Sequence, residues 1–253
     1  MPRQPPKPRT DPQEVDFLKA YDPASFDRPS VTADLVLLTL LEDALHALVI
    51  QRSEHPFLGV WSLPGGFVHM DESLEAAAMR VLREKAGLNR IFLEQLYTFG
   101  EPNRDPRTRI ISVAYMALVD SNRLQKAQSH GHDVQLARVD VSWTGEEGGP
   151  AKLMGSDGKK LSLAFDHADI MGLAVKRLRG KLDYTPVGFQ LLPATFTLFQ
   201  LQRVHEVILG RPLNKDSFRR RMLASGHLKS TGHAQEDVGH RPAALYRFVG
   251  SST

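Results

Sequence analysis

The stretch Gly66 to Leu88, GFVHMDESLEAAAMRVLREKAGL, constrains this chain more than any other part of it. Leu74, Ala77, Ala78, Val81 and Leu82 recur at helical spacing, so Ser73 to Ala86 is expected to be a helix with one face in a core. Gly87 is its stop signal, and Pro64-Gly65-Gly66 predicts a turn ahead of it. An amphipathic helix accounts for the apolar residues. It leaves Glu72, Arg80 and Glu84, with glycines on both sides, at offsets that packing alone does not require.

The remaining pattern supplies strands around that helix. Residues 31–40 and 45–52, VTADLVLLTL and LHALVIQR, are short branched and apolar runs joined by a turn at Glu42 to Ala44. Further strands are expected at Ile91 to Phe99, Arg109 to Leu118 and Gln135 to Trp143, and a second long helix at Asp166 to Leu182. Between them lies a polar, glycine-rich insertion, Gly145 to Lys160, with a hairpin signal in GSDGKK. Strands flanked by a few helices imply an α+β chain or an α/β/α sandwich.

Composition narrows the classes. A 42% hydrophobic content suffices for a packed core, and the absence of cysteine excludes disulfides and thiolate zinc sites. The longest apolar run, Leu35 to Leu41, is far short of a membrane span, and no apolar stretch follows Arg3, Lys7 and Arg9 as a secretory signal requires. A soluble cytoplasmic protein is expected. His130, His132, His227, His233 and His240 lack zinc spacing and are expected in exposed loops.

Beyond Leu182 the period changes. Thr197 and Gln200 form a capping-box pair ahead of Leu198, Leu201, Val204 and Ile208, and Gly210 with Pro212 ends that helix. A second helix spans about Lys215 to Ala224, with Phe218, Met222 and Leu223 toward a core and Arg219 and Arg220 away from it. HLKSTG and LYRFV then read as two strands. Helix, turn, basic helix and two short strands is the order of a winged helix-turn-helix. Lys215, Ser217, Arg219 and Arg220 are candidates for DNA contact, with Lys229 and Arg241 on the wing. Charge agrees: residues 195–253 carry nine cations against four acids. The proline-rich residues 1–13 read as a flexible basic arm, whose Arg3, Lys7 and Arg9 are further candidates for DNA.

Gly66 to Leu88 resembles the Nudix pattern G-x5-E-x7-R-E-U-x-E-E-x-G-U, where U is bulky and apolar. Gly66, Glu72, Arg80, Leu82, Glu84, Gly87 and Leu88 fall on it without a gap. Two acids are replaced, by Val81 and Lys85. Acids at positions 81, 84 and 85 would converge on Mg2+, which demands tight octahedral oxygen ligation. Glu84 alone remains, and Lys85 places an ammonium where the ion would sit. The resemblance thus implies a Nudix fold and pocket without hydrolysis, no catalytic or metal-binding residue, and Lys85 in the metal's stead beside a pyrophosphate.

The chain as a whole is similar to the Nudix-related transcriptional regulators of NAD metabolism. FLKAYDPASFDRPSVTADLVLLTL, HPFLGVWSLPGGFV, FGEPNRDPRTRIISVAYMALV, LAFDHADI and FTLFQLQRVHEVILGRPLNKDSFRRRMLASG carry the likeness. It implies a basic arm (1–13), a Nudix α/β/α sandwich (14–182) and a winged helix (183–253). It also implies a homodimeric repressor of NAD-metabolism genes, released from double-stranded operator DNA by ADP-ribose. Candidate ligand residues are Arg52, Arg80 and Lys85 for the diphosphate, and Gly65 and Gly66 for its approach to backbone amides. Phe57, Phe67 and Phe165 are candidates for stacking, Asp166 and His167 for ribose hydroxyls, Arg107 for the lip, and Glu84 as the surviving acid. No cofactor is expected, with Mg2+ needed only if hydrolysis survives. Two other readings stay open: an active Mg2+-dependent ADP-ribose pyrophosphatase, and a repressor with another sugar or nucleotide effector.

Overall fold

The computed structural model describes residues 11–129, 133–182, 184–235 and 242–250, with the backbone alone for Gln128 and Ser129. In chain order its elements are α1 (Pro12–Ala20), β1 (Ser30–Leu41), β2 (Ala44–Gln51), β3 (Trp61–Ser62), β4 (Gly65–Phe67), α2 (Leu74–Ala86), β5 (Glu94–Phe99), β6 (Ile110–Leu118), α3 (Ser121–Ser129) and β7 (Val134–Val141). They continue with β8 (Ala151–Met154), β9 (Lys160–Leu161), α4 (His167–Lys181), β10 (Phe196–Thr197), α5 (Leu198–Leu209), α6 (Lys215–Ala224), β11 (Leu228–Ala234) and β12 (Ala244–Phe248). A 3-10 turn, Pro186–Leu191, joins α4 to β10.

One mixed sheet runs β5-β6-β1-β2-β7-β8-β9, with β3 on β2 and β4 on β1. Its central strands, β1 and β6, are parallel, with Leu35 opposite Tyr115. Both are apolar on both faces because helices cover both. Ala33, Leu35, Leu37, Val113 and Tyr115 share one core with Ala77, Ala78, Val81 and Leu82 of α2 and Leu124 of α3. Val36, Leu38, Ala114 and Met116 share the other with Ile170, Met171, Ala174 and Leu178 of α4. The result is the expected α/β/α layering. The β1–β2 hairpin turns at Glu42 and Asp43, whose φ values of 49 and 56° suit a tight turn.

Helix α2 starts where Ser73 accepts the Ala76 N–H at 3.1 Å and ends on Gly87 at φ 62°. Gly65 and Gly66 were expected in a turn; they form β4 and pair with Asp34 and Ala33 of β1. The insertion extends the sheet, with Leu153 of β8 opposite Leu161 of β9 and Arg138 of β7 opposite Met154. Its first residues brace α4: Lys176 donates to the Glu147 carbonyl at 3.4 Å, and a Cβ at Gly172 would lie 1.8 Å from the Gly149 carbonyl oxygen. Only glycine allows that approach.

A second sheet, β10-β12-β11, packs with α5 and α6 around Phe189, Phe196, Leu201, Phe218 and Met222. The capping box forms as expected, the Gln200 N–H reaching Thr197 Oγ1 at 3.1 Å and the Thr197 N–H reaching Gln200 Oε1 at 2.8 Å. Leu223 was expected in this core but is 46% exposed. It lies about 140° round the helix from Phe218, whereas Met222 lies about 40° from it. Helix α5 serves both halves, with Leu201 in the small core and Val204 and Ile208 in the core of the large sheet. Arg3, Lys7, Arg9, Arg241, His130, His132 and His240 lie outside the described residues. Helix α1, capped by Asp11, overlaps the end of the proline-rich arm and buries none of its residues.

Candidate functional site

A cavity of about 350 Å³ opens where β4, the end of β2 and the loop before α4 meet. Arg52, Gly65, Gly66, Phe67, Lys85, Arg107, Phe165 and His167, all candidates from the sequence, line it together. Its wall is built from rings under cations. The Arg52 guanidinium lies 4.9 Å from the Phe165 ring, and that of Arg107 lies 5.3 Å from Phe67 and 5.7 Å from Phe165. Phe165 is held at φ 54°, a backbone conformation unusual for phenylalanine. Phe57 is not on the lining; it packs edge-on behind Phe165 at 5.0 Å.

Each arginine of the wall is fixed from behind. Arg52 Nε donates to the Pro56 carbonyl at 2.7 Å, and burial followed by the like charge of Arg107 lowers its pKa. Arg107 makes two bonds of 3.0 and 2.8 Å to Asp105, which is buried and also lines the cavity. Asp166 lies off the lining because Arg104 grips both its oxygens at 2.8 and 2.5 Å. Arg104 was not singled out from the sequence, and its side chain is only 4% exposed.

The floor holds a group that the sequence did not flag. Asp34 sits within an apolar strand, is 6% exposed, and accepts hydrogen bonds on Oδ2 from Thr32 at 3.3 Å and from Ser112. A Cβ at Gly65 would lie 2.0 Å from its Oδ1, so glycine is required there. His167 stands across from it, with Nε2 4.0 Å from Asp34 Oδ1. Its Nδ1 accepts the Leu63 N–H at 2.9 Å, and burial pushes its pKa down. The ring is therefore neutral, with its proton on Nε2.

Two further candidates, Arg80 and Glu84, also lie off the lining. Arg80 binds Glu72 with bonds of 3.1 and 2.6 Å, the Phe67 carbonyl at 2.8 Å and Glu84 at 3.3 Å. The bonds from Arg80, then that from the His69 N–H, hold the Glu72 pKa down at about 2. Val81 is buried in the core. These residues do not fit a divalent cation: the carboxylates face a guanidinium, and Lys85 lines the cavity. Among the described residues no group of three His, Cys, Asp or Glu side chains is placed to hold a metal ion.

At the other end of the molecule Lys215, Ser217, Arg219, Arg220 and Lys229 are all exposed. Asn214 caps α6 by accepting the Ser217 N–H at 3.0 Å, and Arg221 lies 5.7 Å from the Phe218 ring. The strands add Arg247, a cation missed in the sequence, directly opposite Lys229. Like charges so placed repel one another, and an anion between them relieves it. Among the described residues none of these cations has a carboxylate partner.

Comparison with known proteins matches the two halves separately. Residues 31–151 fit the NUDIX domain and residues 188–248 the NrtR DNA-binding winged helix domain. The chain is 38% identical over 238 residues to the ADPR responsive transcriptional repressor NtrR of Acinetobacter baylyi, across 93% of this chain and 88% of that protein. It is also 38% identical to Shewanella oneidensis NrtR in complex with a 27mer DNA, with a TM-score of 0.72 over 87% of this chain and 93% of the other. An ADP-ribose pyrophosphatase of Methanocaldococcus jannaschii is 34% identical over 97 residues, 38% of this chain and 55% of that enzyme.

Proposed function

Since the chain belongs to the NrtR family, in which a Nudix domain is joined to a winged helix, we propose that it is a repressor of NAD-metabolism genes released from DNA by ADP-ribose. The observation that carries the ligand half is the ring-lined cavity, where three cations, Arg52, Lys85 and Arg107, line the wall beside the acids Asp34, Glu54 and Asp105. Arg52, Arg107 and Lys85 converge there, and no carboxylate bonds Arg52 or Lys85 among the described residues. A diphosphate accepts charge-assisted hydrogen bonds from Arg52 and Lys85, and Phe165 and Phe67 offer apolar surface to a planar base. The Acinetobacter relative's name, which states ADP-ribose responsiveness, supports this choice of nucleotide.

Hydrolysis is absent in this reading. Lys85 provides fixed positive charge at the end of α2 where the Nudix pattern asks for a metal ligand, so binding proceeds without Mg2+. The domains divide at about 14–182 and 183–253, the basic residues of the arm 1–13 add contacts to DNA, and two copies present two recognition helices. Half-sites then lie about 10 bp apart or a multiple of it. No helix among the described residues is long and apolar enough to cross a membrane, and a regulator that meets chromosomal DNA works in the cytoplasm.

Coupling runs through α4. Its first residue, His167, lines the cavity, and its 15 residues span about 22 Å to the seam with the winged helix. There the buried Arg179 donates to the Ile208 carbonyl at the end of α5 at 2.8 Å. It also donates to the Trp143 and Gly145 carbonyls, at 3.3 and 3.0 Å. Arg203 of α5 adds a 3.3 Å pair to Asp43. A ligand favouring a slightly different seat of α4 thus shifts α5, and with it the recognition helix α6. It releases DNA only through its preference for that arrangement. The test is retention of promoter DNA by the full chain with and without ADP-ribose; unchanged affinity at saturating ligand ends this reading.

A further inference from the structure

The floor of the cavity holds an acceptor and a donor facing each other across a gap. Asp34 Oδ1 is free of the bonds that Thr32 and Ser112 make to Oδ2. His167 Nε2 carries the ring's proton, because Nδ1 is occupied by the Leu63 N–H. The two atoms are 4.0 Å apart, too far to bond each other and close enough for one oxygen to bond both. Both side chains are more than nine-tenths buried and both line the cavity. Buried polar groups of this kind are satisfied by a partner, and here the open side faces the ligand space.

Resting on the reading of the cavity as a nucleotide site, we infer that Asp34 and His167 form a bracket for one hydroxyl group of a sugar. The hydroxyl accepts a hydrogen bond from His167 Nε2–H and donates its own hydrogen to Asp34 Oδ1. This demands a group that both donates and accepts. A phosphate oxygen, which is an acceptor only when ionised, is refused by the carboxylate. The bracket therefore sorts the ligand's ends, with sugar hydroxyl to the floor and diphosphate to Arg52, Arg107 and Lys85 at the mouth. Thr32 and Ser112 fix the carboxylate's rotation, and Gly65 is the residue that leaves its Oδ1 uncovered. The role foreseen for Asp166 falls to Asp34, because Arg104 holds both oxygens of Asp166.

The test is calorimetric binding to the full chain in metal-free buffer. The probes are ADP-ribose, a set of ADP-ribose analogues each lacking one hydroxyl, and inorganic pyrophosphate. The wild type is expected to lose about 10–100-fold in affinity for one analogue of the set, the range for a hydrogen bond to a charged group. Asp34→Asn, which keeps the side chain's size and removes its charge, is expected to lose a similar factor for ADP-ribose, to bind that analogue no worse than ADP-ribose, and to hold pyrophosphate as the wild type does. His167→Asn, whose amide oxygen still accepts from Leu63, tests the donor in the same way. Equal affinity across the analogue set, measured on wild type alone, overturns the bracket even if a variant fails to fold. Equal loss of pyrophosphate and ADP-ribose in Asp34→Asn overturns it too, since that is the mark of a merely structural carboxylate. Failure of the wild type to bind ADP-ribose at all takes down the nucleotide reading first and the bracket with it.

Discussion

The two charged regions of this molecule are built in opposite ways. Around the cavity most charges are tied down: Arg107 on Asp105, Arg104 on Asp166, Arg80 on Glu72. On the winged helix Lys215, Arg219, Arg220, Lys229 and Arg247 stand exposed, without a carboxylate partner among the described residues. The first arrangement is preorganised, so a small ligand meets side chains already in place and less ordering opposes binding. The second suits a polyanion, where affinity comes from many loosely held cations and released counterions. One region is made for shape, the other for charge density, and α5 belongs to the cores of both.

The largest effect separates these regions. Arg219→Ala with Arg220→Ala is expected to weaken promoter binding about 100-fold and flatten its salt dependence by about two ion equivalents, one per phosphate contact. ADP-ribose affinity stays unchanged. Anisotropy across a salt series checks this; an unaltered salt slope would mean that α6 does not face the phosphates.

Arg179→Ala attacks the seam instead. ADP-ribose and DNA should each still bind, while the ligand's effect on DNA falls by most of the typical coupling of about 1–3 kcal/mol, or roughly 5–150-fold. Full ligand response in this variant would remove Arg179 from the account. Some loss of thermal stability accompanies the change, because Ile208, Trp143 and Gly145 each lose a hydrogen-bond donor.

Lys85→Ala should weaken ADP-ribose by about tenfold in metal-free buffer, consistent with roughly 1.4 kcal/mol for a charge-assisted contact at the cavity. Adding Mg2+ should not restore it. Restoration by the ion would indicate that a metal site survives and that Lys85 is not its substitute.

The smallest effect concerns acid. His167 has a lowered pKa in the fold, so below its unfolded value of about 6.5 the unfolded chain takes up a proton that the folded chain refuses. Stability should therefore be full above pH 6.5 and fall as the pH drops toward the folded pKa. Chemical denaturation at pH 7.5 and pH 5.5 measures it, with His167→Asn as the control that flattens this part of the profile. An equal drop in the control assigns the acid sensitivity to other groups.

Legibility followed the range of the interactions. Helix α2 with Ser73 and Gly87, the Thr197–Gln200 box, the Asp-Gly hairpin and the basic face of α6 all rest on neighbours in sequence, and each was visible there. Helix α3 was missed because its few apolar residues, chiefly Leu124 and Ala127, make a weak stripe. Gly65 looked like a turn residue because nothing local shows that Asp34 lies against it. Asp34 drew no notice within an apolar strand; Ser112, which bonds it, and His167, which faces it, come from β6 and α4. The exchange of Asp166 for Asp34 depends on Arg104, 62 residues away along the chain. The insertion was legible as a hairpin, whereas its place along α4 depends on Gly172 and Lys176.

The measurement that bears most directly on a sensor joined to a DNA reader is one titration watched in two ways. The full chain bound to labelled promoter DNA receives ADP-ribose with Mg2+ present, while DNA release and AMP formation are followed together. The account predicts stoichiometric release of the DNA with the ADP-ribose left intact. Steady production of AMP with the DNA still held would contradict it.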